Sequence, residues 1–444
     1  MKVTGIIAEY NPFHKGHQFH IEQARQITGA DFCVVVMSGD FVQRGEPAIF
    51  SKYLRARMAL ACGADLVLEL PSLFAVSSAE DFAACGVALL SALGVVDTLC
   101  FGSEDGCIEH LKTAAGILAG EDESFKTLLS HGLKNGLSWP QARNQALAAM
   151  AEEDPGFPLD AGLLNHLFGS PNNLLGIEYC KAILRQKSCL TPVTILRKGQ
   201  GYHDPSLERG QASASALRQS LVQRTSSLLP PAVNSEQRET GGVRHESGGC
   251  TPALPGSVLP HIPSSLESMY LQEPVLTSGD LSGLLNYRLL SSVQEGRDLT
   301  LYADLSADLA GRLKTQLLQY ETWDGRIRQL KTRQYTYTRI SRALLHLILG
   351  ITTEQVQAGR QAGYGPYGRI LGFKKESAAL LTALKRASSI PLITKTADAH
   401  HILSGASLSM FRQDIYASHL RQSIQAQKQA GPIHNEFTQP VCII

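Results

Sequence analysis

The chain has 444 residues, 43% of them hydrophobic and 18% charged, which suits a soluble globular protein of two or three domains. Its 41 basic and 40 acidic residues leave a net charge of +1, so the total points to no class of partner and any nucleic-acid surface has to be local. No apolar run approaches the roughly 18 residues of a membrane span, and the opening strand pattern, holding Glu9, does not read as a signal peptide.

In chain order, "KVTGIIA" is a short apolar strand followed by a turn with a helix N-cap pattern and a helix through Ile27. "DFCVVVM" (31–37) is a buried strand by its β-branched density. "SKYLRARMALACG" (51–63) is a helix closed by Gly63, and "ADLVLELP" (64–71) a strand stopped by Pro71. "SAEDFAACGVALLSALG" (78–94) opens on a capping-box pattern from Ser78 to Asp81. "VDTLCFGSEDG" is a strand entering a glycine loop, "NNLLGIEYCKAILRQ" a helix and "TPVTILR" a strand. This alternation predicts an α/β fold, a Rossmann-like doubly wound parallel sheet over 1–222, with ligands bound at the carboxyl ends of the strands. Residues 223–265, rich in Pro, Gly and Ser, read as a mobile linker or surface insertion. Residues 266–444 read as a mainly helical domain. The nine cysteines are irregularly spaced with no CxxC pair, which predicts free thiols in a reducing cytoplasm, and Cys442 is misplaced for a prenylation box.

The first strand-to-helix corner, "GIIAEYNPFHKGHQFHIEQARQ", holds His14, His17 and His20 around Gly16. A helix N-terminus presents free N–H groups and a partial positive charge, an anion site. Histidines add donors there, Lys15 adds charge, Gly16 permits close approach, and Asn11-Pro12 stiffens the turn. The chemistry suits attack on the α-phosphorus of ATP. Two other readings compete: a polar helix cap, and a zinc site on one helix face at i, i+3, i+6.

"FHKGH" after a first strand resembles the HxGH signature of the nucleotidyltransferase superfamily. "MSGDFVQRGEPAIFSKYLRARMAL", "GADLVLELP", "FGSEDG", "PNNLLGIEYCKA", "GQGYHD" and "YTYTRISRALLHLILG" extend the likeness, and together the segments resemble the bacterial tRNA(Met) cytidine acetate ligase family from residue 2 to about 375. The resemblance implies a cytoplasmic ligase that adenylates acetate with ATP and Mg²⁺, then acetylates N4 of the wobble cytidine of elongator tRNA(Met), with no membrane or DNA partner. It implies His14 and His17 as catalytic residues. It places ATP on Ile7, Ala8, Glu9, Tyr10, Asn11, Pro12, Phe13, His14, Lys15, Gly16, His17, Gln18, Phe19 and His20, and on Gly102, Asn173 and Arg197. Asn173 is chosen over Asn172, and Arg197 over Lys198 because its planar fork suits phosphate oxygens. Read as residues alone, Gly102 is also an ordinary turn glycine, Asn173 a helix cap and Arg197 a solvated strand end.

"QASASALRQ" resembles the superfamily's second phosphate signature, with Ser213, Ser215 and Arg218 as phosphate contacts; Ala214-Ser215 departs from the usual Ser-Thr form. Asp40, Gln43, Arg44 and Lys52 follow the second strand and offer polar groups for a small carboxylate or a base. From Arg326 to Lys375 there are ten Lys or Arg residues and one acid, Glu354, with Tyr335, Tyr337, Tyr364 and Tyr367 interleaved. That bias predicts tRNA contact through Arg333, Arg339 and Arg342, with Arg339, Arg342 and His346 on one helical stripe. No dedicated metal motif is visible. Two alternatives use the same features: an adenylyltransferase making a dinucleotide cofactor, and a non-catalytic RNA-binding protein on a vestigial nucleotide fold.

Overall fold

The computed structural model describes residues 1–120, 123–154, 156–197, 214–228, 254–429 and 431–444. The strands are β1 (Val3–Ala8), β2 (Phe32–Ser38), β3 (Phe41–Val42), β4 (Glu46–Pro47), β5 (Leu66–Leu70), β6 (Thr98–Ser103), β7 (Thr191–Leu196), β8 (Gly368–Phe373), β9 (Leu392–Ile393) and β10 (Cys442–Ile443). One eight-stranded sheet runs β10-β8-β5-β2-β1-β6-β7, with β9 beside β8, and β3 and β4 form a separate hairpin. The pairs among β7, β6, β1, β2 and β5 are all parallel.

Alternation along each strand divides the core. Val34, Val36, Leu66 and Leu68 pack with Leu89 and Leu90 of the helix Ala79–Ala92. Cys33, Val35, Met37 and Val67 pack on the other face with Ile21, Leu54 and Met58, from the helices Lys15–Thr28 and Lys52–Ala61. Both faces are covered, so β2 and β5 read as continuous apolar runs.

The nucleotidyltransferase-type α/β fold stands, but the sheet is mixed rather than wholly parallel. β8 runs antiparallel to β5, with Glu69 opposite Arg369. Strands from the predicted helical half therefore extend the first sheet. "GRILGF" is buried on both faces and flanked by glycine, so it carries no alternation to mark it as a strand. Four helices between β6 and β7 also went unseen: Ile108–Gly120, Glu123–Lys134, Trp139–Glu153 and Ala161–Gly169. Within the expected linker, Val258 and Ile262 are buried in the core, so residues 254–265 pack against the sheet domain.

The seam between the halves is ionic. Lys52 Nζ lies 3.0 Å from Glu69 Oε1 and 3.2 Å from Glu436 Oε2, and donates to Ser418 Oγ at 2.6 Å. Arg369 reaches Glu69 at 3.1 Å and Glu436 at 2.6 Å. All four charged groups are buried. Lys52, read from sequence as a polar group available to a small carboxylate or a base, is therefore a structural cation, and Asp40 is buried with it, accepting from Lys52 N at 2.9 Å. Glu436→Gln leaves two buried cations sharing one carboxylate and should cost about 3–5 kcal/mol, read as a lowered urea midpoint.

Candidate active site

β1 ends at Ala8, and the chain turns through Glu9–Phe13 into a helix whose N-cap is His14. The Asn11–Pro12 bond is cis. The His14 ring Nδ1 accepts from Gly16 N at 3.0 Å, and the His17 Nδ1 accepts from His14 N at 3.2 Å. This is a capping box built from two imidazoles. Each Nδ1 lone pair is occupied, so each neutral ring carries its proton on Nε2, away from the backbone. The rings stack with centroids 3.8 Å apart. Tyr10 and Phe13 sit under His17 at 4.9 and 5.6 Å.

Burial holds the His14 imidazole down to about 3, helped by the charges of Arg197, His261 and Arg218. Burial and Arg197 hold His20 down to about 4. His17 is lowered too, by burial first and then by His14 and Arg197. The corner is thus a set of uncharged donors beside fixed cations. The cap reading is correct for His14, and it coexists with a donor role because capping uses only Nδ1. The zinc reading fails: among the described residues the three rings do not bring ligand atoms within reach of one ion. His20 Nε2 is buried without a partner among the described residues.

The other expected ATP residues divide by placement. Arg197 is exposed, bonds Ser103 O through its main-chain N at 2.9 Å, and lies across Gly102. A Cβ on Gly102 would meet Arg197 Cγ at 3.1 Å. Gly102 lies within β6, outside the left-handed region, so the turn-glycine reading does not hold and close packing accounts for it. Arg218 donates to Asn11 O at 2.7 Å and to Ser215 Oγ at 3.1 Å, and stands 3.6 Å from Glu46. It therefore joins the corner, with Ser215 beside it; Ser213, Lys198 and "GQGYHD" lie outside the described residues. Ala8 and Gly16 are partly open at the strand end and helix start.

Several of these residues also hold the scaffold together. The side chain of Ile7 faces the core against Gly86. Pro12 is buried. Asn11 Oδ1 accepts from Ile49 N at 2.8 Å, and Phe13 O accepts from Tyr270 OH. Lys15 Nζ donates to Pro260 O at 2.6 Å, Gln18 to Glu22 at 3.0 Å, and Phe19 packs on the core. Asn173 is fully buried: its Oδ1 accepts from Asp105 N at 2.9 Å, and its main-chain N bonds Glu104 at 2.8 Å. It clips the loop after β6. Asn172 shares Glu104 at 2.5 Å.

Arg55 escaped sequence reading. It is buried in the helix Lys52–Ala61 and donates to Glu9 O at 2.6 Å, Ser38 O at 3.1 Å, Phe50 O at 3.0 Å and also to Gly39 O. The clue was an arginine on a helix face otherwise made of Leu54, Met58 and Ala59. Glu9 Oε1 takes the N–H of Gln43 at 2.9 Å, and burial raises its pKa. That bond ties the β3–β4 hairpin to the corner. At the hairpin turn Gly45 has φ +78°, and a Cβ there would lie 2.4 Å from Arg342 N of the helix Tyr337–Leu349.

Three-dimensional placement thins the basic segment. Arg326 and Arg369 are buried, His346 lies between Ala303 O at 3.0 Å and Val76 O at 2.9 Å, and Arg360 pairs with Asp81 at 2.8 Å. Arg342 is tied to Asp304 at 3.1 Å, and Arg339 stacks over Tyr335 at 5.1 Å. Arg328, Lys331 and Arg333 are exposed. Tyr335 and Tyr367 are buried and Tyr364 packs on Phe74, which leaves Tyr337 as the exposed ring of the four. Among the described residues no helix is long and apolar enough to cross a membrane.

The depressed histidines carry a pH signature. The unfolded chain protonates His20 near 6.5 and the folded protein only near 4, so the unfolded state holds more protons between these values. Stability is therefore expected to fall as pH drops through that window. His20→Gln should flatten the fall by up to about 1.4 kcal/mol per pH unit, read from urea midpoints across the acid range.

The HIGH Nucleotidyl Transferase family model matches residues 1–435. A protein of Acetivibrio thermocellus named tRNA(Met) cytidine acetate ligase is 37% identical over 401 residues, covering 90% of this chain and 89% of that one. The protein of that name from Clostridium acetobutylicum is 36% identical, covering 89% and 90%. The crystal structure of Thermotoga maritima TmcAL in its apo form matches with TM-score 0.86 at 27% identity over 100% of both chains. The same protein bound with alpha-thio ATP matches at TM-score 0.84 and 27% identity, over 100% of this chain and 99% of that one. A corner of paired imidazoles, a sheet of this order and likeness along the whole chain lead to one conclusion: the chain belongs to the tRNA(Met) cytidine acetate ligase family, within the HIGH nucleotidyl transferases.

Proposed function

We propose that the protein activates acetate with ATP as acetyl-adenylate and transfers the acetyl group to N4 of the wobble cytidine of elongator tRNA(Met), in the cytoplasm. The observation that carries this reading is the pair of neutral Nε2–H donors at the His14–His17 cap, flanked by Arg197 and Arg218. A similar protein has been crystallised with alpha-thio ATP, and relatives with the same span bear the ligase name.

An acetate oxygen attacks the α-phosphorus, the bond to pyrophosphate breaks, and negative charge builds on the phosphate oxygens. Donors already fixed in place and uncharged in the resting site need no reorganisation to meet that charge, and each contributes about 3–4 kcal/mol in comparable sites. Arg197 and Arg218 supply permanent charge toward the departing pyrophosphate. Mg²⁺ enters with ATP as part of the substrate. In the second step the cytidine N4 attacks the acetyl carbonyl, AMP leaves and N4 loses a proton to water. Acetate alone is a poor acyl donor, and joining it to AMP provides the leaving group. The adenylate is prone to hydrolysis, so the RNA surface has to sit on the same chain. Arg328, Lys331 and Arg333 are the exposed cations suited to its phosphates, with Tyr337 available to stack a base. Arg339 and Arg342 act from more enclosed positions.

The deciding measurement is mass spectrometry of tRNA(Met) after incubation with enzyme, ATP and acetate. One acetyl group on the wobble cytidine supports the proposal. Pyrophosphate release with nicotinate mononucleotide or phosphopantetheine but not with acetate would favour a dinucleotide-forming adenylyltransferase. His17→Ala should lower acetate-dependent pyrophosphate release by about 10²–10³-fold; unchanged turnover would remove His17 from the mechanism, and no release from the unaltered protein with any acid would favour the non-catalytic RNA-binding reading. Arg333→Ala is expected to weaken tRNA binding and reduce the log–log salt slope by about 1, with acetate activation retained.

A further inference from the structure

The loop that follows β6 carries side chains that the nucleotide corner does not use. Asp105 is almost enclosed, with 9% of its side chain exposed, and its two carboxylate oxygens face different histidines. Oδ2 lies 3.0 Å from His110 Nδ1, in the helix Ile108–Gly120. Oδ1 lies 3.8 Å from His166 Nε2, in the helix Ala161–Gly169. Cys107 is a free thiol on the same loop, and one ligand atom each from Asp105, Cys107 and His110 falls within 4.8 Å of the others.

We infer that Asp105, Cys107, His110 and His166 form a binding site for a borderline-soft divalent cation of the zinc type. A tetrahedral ion with bonds of about 2.0–2.3 Å sets its ligand atoms roughly 3.3–3.8 Å apart, so movements of about 1 Å bring Asp105, Cys107 and His110 onto one ion, and His166, 3.8 Å from Asp105 Oδ1, completes the set by a larger rotation of its partly exposed ring. The donors are one thiolate, two imidazoles and one carboxylate. Magnesium and calcium ask for oxygen donors alone, while this mixture suits zinc or cobalt. Four protein ligands fill a tetrahedron and leave no place for a reacting water, so the ion is structural.

The loop is braced for such a role. Asp105 N is bound by Asn173 at 2.9 Å, and Gly106 N by Ser103 Oγ at 3.0 Å. Gly106 has φ +74°, and a Cβ there would strike Leu196 of β7 at 2.9 Å. Ser103 O in turn holds Arg197 N at 2.9 Å. The ion would fasten two helices from the β6–β7 crossover to the loop that supports Arg197. Sequence spacing hid the site, because His166 stands far from Asp-x-Cys-x-x-His in the chain.

The test is titration of the full-length, chelator-dialysed protein with Co²⁺, followed by absorption spectroscopy. Expected are one Co²⁺ per chain, tetrahedral ligand-field bands, a thiolate-to-cobalt charge-transfer band, and displacement of all three signals by Zn²⁺. Cys107→Ser should abolish the charge-transfer band, while Cys189→Ser, at an exposed cysteine, should keep it. His110→Gln and His166→Gln should each weaken Co²⁺ affinity by about tenfold or more. A wild-type protein that takes up no stoichiometric Co²⁺ overturns the inference whatever the variants do. So does a charge-transfer band that survives Cys107→Ser, or an unchanged affinity in either histidine variant.

Discussion

The structure turns on one buried guanidinium. Arg55 donates to main-chain carbonyls at Glu9, Ser38, Gly39 and Phe50. Strand ends in a parallel sheet leave carbonyls that no neighbour satisfies, and burying them unpaired is costly. Arg55 collects them at one point. Burial lowers its pKa only to about 10, so it stays charged at neutral pH. The carboxyl ends of β1 and β2 are thereby fixed relative to each other, and with them the turn that delivers His14.

In the proposed reaction, the site around that point separates two jobs that charge alone would confuse. The imidazoles are neutral because they are buried beside cations, and they serve as directed donors. In the same proposal Arg197 and Arg218 supply the long-range field. A corner of protonated histidines would bind phosphate tightly in every state, whereas neutral donors gain most where charge develops.

Much of this was legible in the sequence, and the boundary is physical. "FHKGH" exposed the corner because a helix N-terminus with imidazoles has a specific chemical use. The alternation of apolar runs exposed β1, β2, β5, β6 and β7. What the sequence could not show was direction. Counting cations from Arg326 to Lys375 treats Arg326, Arg369 and His346 like Arg333, yet the first three point inward to carbonyls and carboxylates. Likewise Lys52, which opens a helix after a polar loop, is the anchor of an ionic seam, and "GRILGF" is a strand that only its neighbours define. Asn173 carries a cap's residue type but reaches across to hold the Asp105 loop.

The β3–β4 turn has a mechanical meaning. Gly45 lies so close to the main chain at Arg342 that no methyl group fits between them, and Ser341 Oγ bonds Gly45 O at 2.9 Å. Two residues earlier in the same turn, Gln43 N donates to Glu9 Oε1 at 2.9 Å. The helix Tyr337–Leu349 and the turn after β1 are thus held to each other across three residues of backbone.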